Sequence, residues 1–74
     1  MKEITIRDEF IKLGQAMKLA SLVSAGSDAK MIIALGQVTV NGQPCEMRGK
    51  KLYDGDEFSY NGETVKVVSS GAKA

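Results

Sequence analysis

The sequence predicts an α+β domain in which two adjacent short helices pack on a small, mostly antiparallel sheet. Three observations carry this. Apolar residues recur at helical spacing in two segments between Gln15 and Leu35. Val38 and Val40 then alternate with polar neighbours up to an Asn41-Gly42 turn. A second such dipeptide, Asn61-Gly62, lies between two further alternating stretches, the strongest short-range hairpin signal in the chain. With 74 residues the chain makes one domain, near the size at which a core sustains itself without disulfides or metal.

The elements follow in order. Glu3 to Ile6 alternates weakly and reads as a first strand, after which Phe10, Ile11 and Leu13 lead toward a helix placed at about Gln15 to Val23. Ala16, Met17, Ala20 and Val23 are its core face, and Gln15 and Lys18, three apart, share the other. A short link, Ser24 to Gly26, implies neighbouring helices. Ser27 is the expected N-cap of a second helix from about Asp28 to Leu35, with Asp28 near the positive end of its dipole. Ala29, Ile32, Ile33 and Gly36 form its stripe, Gly36 suits a left-handed stop, and Lys30 falls off the stripe toward solvent.

After the Val38–Val40 strand, Pro44 limits regularity. Leu52 and Tyr53 precede the turn Asp54-Gly55-Asp56, and Glu57 to Tyr60 pairs with Glu63 to Val68. The motif-bearing core spans about 10–58, and 69–74 is small and polar, the composition of a flexible tail.

Composition removes whole classes of function. No apolar run approaches the roughly 18 residues of a membrane span and no signal-peptide pattern opens the chain, so a cytoplasmic address is expected. Cys45 is the only cysteine and histidine is absent, which takes away an intramolecular disulfide, the commonest metal ligand and the commonest general base. Asp54, Asp56 and Glu57 suit a β-turn better than a calcium loop, which needs more oxygen ligands and a distal glutamate. Gly14, Gly26 and Gly36 are too scattered to cradle a phosphate. Neither an enzyme, a cofactor nor a metal is expected.

The net charge of +1 does not announce a nucleic-acid binder, but a charge acts within a Debye length of roughly 8–10 Å, so placement outweighs the sum. Arg48, Lys50 and Lys51 fall within four residues, and Lys12, Lys18 and Lys30 belong to the helical regions. As a free-standing motif the Arg-Gly-Lys-Lys run reads as a solvated loop; it gains meaning if Lys12, Gln15, Lys18 and Lys30 share its face, because phosphate oxygens need convergent donors. Tyr53 and Tyr60 are able to stack on bases, but with two tyrosines and two phenylalanines in the chain, packing is their expected role.

The stretch Ala29 to Gly42, AKMIIALGQVTVNG, resembles the signature of the S4-like RNA-binding domain, Ala-Arg-x-Leu-Ile-x-x-Gly-x-Val-x-Val-Asn-Gly. Lys12-Leu13-Gly14 stands at that family's Arg-Leu-Asp helix start, and Gly55-Asp56 matches its later Gly-Asp pair. The Leu-Gly-Gln start and the Arg-Gly-Lys-Lys-Leu run are similar to the stand-alone bacterial YaaA/YbcJ-like subgroup. The resemblance implies an RNA-binding surface of two helices and the following β-loop, the αL motif. It carries over to Lys12 and Lys30, with Gln15 and Lys18 beside them and Arg48, Lys50 and Lys51 extending the surface. Structured RNA, ribosomal or tRNA-like, or a ribosomal particle is the implied partner of a monomer. A protein-interaction adaptor on the same scaffold is the alternative. The sequence departs from the pattern at Gly14, where aspartate is usual, at Gly26, where arginine is usual, and in its lysines. Lysine is a mobile point charge without arginine's planar fork, which favours recognition of RNA shape and phosphates over particular bases.

Overall fold

Alternation sets the main sheet. In the computed structural model of the chain, which describes residues 2–70, five strands run in the order β1-β7-β6-β3-β4, where β1 is Lys2–Ile6, β3 Val38–Val40, β4 Gln43–Pro44, β6 Glu57–Tyr60 and β7 Glu63–Ser69. Every neighbouring pair is antiparallel except β1 and β7, which run parallel with Ile4 beside Val67. Every second residue points inward: Ile4 and Ile6, Val38 and Val40, Phe58, Val65 and Val67 are all buried. Leu13, Ala16, Met17 and Ala20 from the first helical segment and Ala29 and Ile33 from the second close over them in a single core. The expected α+β architecture is therefore the observed one.

Both Asn-Gly dipeptides turn the chain as expected. Asn61 and Gly62 take φ of 54° and 82°, and Asn41 and Gly42 take 51° and 86°, the left-handed pairs that the tightest hairpins require. Pro44 lies in β4 at the sheet edge, where its missing N–H costs no ladder bond.

Helix α1 is Leu13–Leu19, starting earlier and ending sooner than the segment 15–23 expected from spacing. Ser21 ends it. At φ 61° its N–H donates to the Lys18 carbonyl at 3.0 Å while the Leu22 N–H reaches the Met17 carbonyl at 3.0 Å, a Schellman closure built on a non-glycine residue. Val23 consequently lies beyond the helix, half-buried against the core.

Helix α2 is Gly26–Ala34, and Ser27, expected as its N-cap, is inside its first turn. Ala25 is the capping position: its backbone is extended and its carbonyl accepts the Ala29 N–H at 3.3 Å, with no side-chain cap. Asp28 remains in the first turn, where the dipole favours it. The C-terminus follows the expectation for Gly36, which at φ 74° donates to the Ile33 carbonyl at 2.9 Å while the Gln37 N–H reaches the Ile32 carbonyl.

Phe10, Ile11 and Lys12, read as the approach to a helix, instead form strand β2 (Phe10–Lys12), paired antiparallel with β5 (Lys51–Tyr53) in a separate two-stranded ribbon. Leu52 faces inward and is fully buried, so its neighbours Lys51 and Tyr53 face out. Ser69, assigned to the tail by composition, ends β7 and is buried; its N–H donates to Asp54 Oδ1 at 2.9 Å and its hydroxyl to the Asp8 carbonyl at 2.6 Å. Residues 71–74 of that tail lie outside the described residues.

Candidate nucleic-acid interface

The site begins at Lys12, the last residue of β2 and the extended residue that precedes α1. A helix start leaves backbone N–H groups without intrahelical partners. Here the loop between β4 and β5 supplies them: the Leu13 N–H donates to the Lys50 carbonyl at 2.9 Å and the Gly14 N–H to the Arg48 carbonyl at 3.0 Å. These two bonds fasten the Arg48–Lys50 segment to the mouth of α1 and carry Arg48 beside a helix face about thirty-four positions earlier in the chain.

The result is an open groove of about 310 Å³ lined by Lys12, Gln15, Lys18 and Arg48, with Gly14, Gly26 and Gly49 completing its walls. Gln15 and Lys18 stand one turn apart on the exposed face of α1, and the start of α2 forms the far side. A Cβ at Gly26 would meet only the Lys18 side chain, at 4.0 Å, and one at Gly14 would rest against Arg48 at 3.6 Å. The groove offers three cations and an amide, all donors, to an anion.

The structure thus brings together four of the seven residues singled out in the sequence. Lys51 lies next to them: it is the direct cross-strand partner of Lys12 in the ribbon, and its Nζ sits 4.8 Å from the centre of the Phe10 ring. Lys50 lines a different depression, with Val40, Pro44, Cys45 and Met47. Lys30 is exposed on α2 and does not line the groove.

The two aspartates of the Asp54-Gly55-Asp56 turn are engaged by backbone N–H groups. Asp56 Oδ2 accepts the Tyr53 N–H at 2.7 Å, and Asp54 accepts that of Ser69. Among the described residues no group of three His, Cys, Asp or Glu side chains gathers as a metal site, and no helix is long and apolar enough to cross a membrane. Cys45 is half-buried, its thiol 3.6 Å from the Met47 carbonyl.

Two features escaped sequence reasoning. The glycines that open the groove were too far apart to suggest one wall. The pairing of half-buried Phe10 with exposed Tyr53 went unseen because Phe10 to Lys12 reads as the approach to a helix, which leaves no register to set the two rings opposite each other.

Over residues 4–68 the sequence matches the S4 domain. The chain belongs to the S4 domain family. The S4 resemblance carried by Ala29–Gly42 is therefore borne out, and the match reaches past the motif core into β1 and β7. The probable ribosome maturation protein RlbA of Bacillus subtilis (strain 168) is 42% identical over 59 residues, covering 80% of this chain and 83% of that protein. Within the S4 frame, the two glycine departures, Gly14 and Gly26, both lie on the groove.

Proposed function

We propose that this S4-domain chain is a non-catalytic RNA-binding module that grips structured RNA through the groove between α1, α2 and the Arg48–Lys50 loop. The observation that carries this is the convergence of Lys12, Gln15, Lys18 and Arg48 on one groove despite a net charge of only +1. Lys51 extends the basic face along the ribbon, and Lys30 and Lys50 add charge at its periphery. Ribosomal RNA, or a tRNA-like element, in the cytoplasm is the proposed target. The name of the Bacillus relative supports a place in ribosome maturation. Two of the groove's cations are lysines and only one is an arginine, so recognition rests on phosphate geometry and RNA shape more than on base edges.

Titration against a folded ribosomal RNA fragment at several salt concentrations tests this. Affinity falls linearly in log–log form, and each phosphate-contacting residue removed flattens the slope by about 0.7–0.9. Undetectable affinity at low salt, or affinity indifferent to Lys12, Lys18 and Arg48, overturns the proposal. Protein partners that survive nuclease treatment while no RNA is bound would favour an adaptor instead.

A further inference from the structure

The ribbon β2–β5 has a buried face and an outer face of unusual content. Ile11 and Leu52 pair inward, Leu52 with no exposure. On the outer face the register sets Phe10 opposite Tyr53 and Lys12 opposite Lys51. Two aromatic rings and two cations therefore occupy four adjacent positions of one surface.

Simple packing does not account for this. Like charges directly opposite one another weaken a strand pair, so the Lys12–Lys51 pair works against the ribbon that carries it. The aromatic pair is built, with ring centres 5.8 Å apart and planes at 44°. The Lys51 ammonium covers the Phe10 ring at 4.8 Å, whereas Tyr53 is left 44% exposed. Tyr60, the other tyrosine, packs half-buried against the core as expected for both. Tyr53 is thus an aromatic surface held in place by Phe10, with the Lys12–Lys51 pair next to it along the ribbon, and Lys12 also lines the basic groove.

We infer that the outer face of this ribbon is a nucleotide-stacking subsite, in which an unpaired base of the bound RNA lies on the Tyr53 ring while Lys12 and Lys51, at the next outward position of the ribbon, take phosphates of the adjoining backbone. The inference rests on the proposed RNA binding and deepens it. The groove holds the paired part of the RNA by its backbone, and the ribbon captures a base from a bulge or loop next to it. Charge complementarity selects the occupant: a planar apolar surface beside a pair of cations fits a base next to the phosphates of its own backbone. Every base has a π-face, so this subsite selects for an unpaired nucleotide and not for its identity. Phe10 acts as a positioning residue, since its ring is covered by Lys51 and holds both that ammonium and Tyr53.

The experiment compares two RNA hairpins of equal length and charge, one fully paired in its stem and one carrying a single-nucleotide bulge, binding to the wild-type chain, Tyr53→Leu and Tyr53→Trp. The wild type binds the bulged RNA more tightly. Tyr53→Leu loses that margin, about 5- to 150-fold for one stacked base, with its affinity for the paired RNA and its thermal unfolding unchanged, and Tyr53→Trp keeps it. The chain has no tryptophan and two tyrosines, so Tyr60→Phe leaves Tyr53 as the sole emitter, and its fluorescence is quenched by the bulged RNA but not by the paired one. Equal binding of both RNAs by wild type and Tyr53→Leu, or unquenched Tyr53 emission at saturation, overturns the subsite while leaving RNA binding intact. If the wild type binds neither RNA, the proposed function fails and the subsite with it.

Discussion

Asn41 takes over the sheet ladder where its own backbone leaves it: the Asn41 N–H donates to the Glu57 carbonyl at 2.7 Å, and the Glu57 N–H returns to Asn41 Oδ1 at 3.0 Å. The side-chain oxygen stands in for the main-chain acceptor that turns away as Asn41 adopts φ 51°. Its amide also reaches Asp56 Oδ1 at 3.3 Å, tying the Asn41-Gly42 turn to the acidic turn before β6. The asparagine of the Asn-Gly motif is thus a connector between two turns as well as a turn former.

Two substitutions separate those roles. Asn41→Gly keeps the left-handed backbone accessible and removes the side-chain bonds, for a cost of about 1 kcal/mol. Asn41→Ala loses the same bonds and adds a left-handed penalty of roughly 1–2 kcal/mol. Urea unfolding should rank wild type above glycine and glycine above alanine; alanine at or above glycine would show that the backbone requirement is weak.

The two helix ends make opposite predictions from one geometry. Both α1 and α2 close with a left-handed residue, Ser21 in the first and Gly36 in the second. Ser21→Gly should stabilise the protein and Gly36→Ala should destabilise it, each by about 1 kcal/mol. For a domain of this size that corresponds to a shift in Tm of about 4–8 °C in each direction.

Gly14 lies in the first turn of α1 without a left-handed backbone. A Cβ there would make ordinary contact with Arg48, at 3.6 Å. Gly14→Ala is therefore expected to raise stability by up to about 1 kcal/mol through helix propensity. A loss of stability, read by thermal unfolding, would mean that the Arg48 loop cannot accommodate even a methyl group.

Charge changes on the groove should be graded by position. Lys12→Ala, Lys18→Ala and Arg48→Ala each flatten the salt dependence of RNA binding by about 0.7–0.9, while Lys30→Ala, outside the groove, changes it less. In the other direction, Gly26→Arg adds a cation to the groove wall, where a Cβ would meet only the Lys18 side chain at 4.0 Å, and should steepen the slope by a similar amount. Filter binding from low to moderate salt reads all five proteins.

Local chemistry made much of this fold legible. Asn61-Gly62 and Asn41-Gly42 announced their turns because left-handed backbone is costly for most residues, and Gly36 announced a helix end for the same reason. Ser21 adopts the same conformation without a residue that advertises it, so α1 was drawn too long. Ala25 caps α2 through its backbone alone, and Ser27, with the better side chain, attracted the assignment. Strand β2 stayed hidden because its partner, β5, lies far along the chain, and three residues beside a helix carry little periodicity of their own. The basic residues could be named from the sequence, but their grouping depends on two bonds, from Leu13 to Lys50 and from Gly14 to Arg48, that only the folded chain makes.

The parallel pairing of β1 with β7 bears on how the protein is made. β1 has no other neighbour in the sheet, and the bonds at its far end, from Ser69 to Asp8 and from Ser70 to Ile6, close loops of 61 and 64 residues. During synthesis the helices and the β6–β7 hairpin have near neighbours to pair with, whereas Ile4 and Ile6 must wait for β7 to emerge. Closing such long loops comes late and slowly in folding. A strand made early is thus covered only when its late partner arrives.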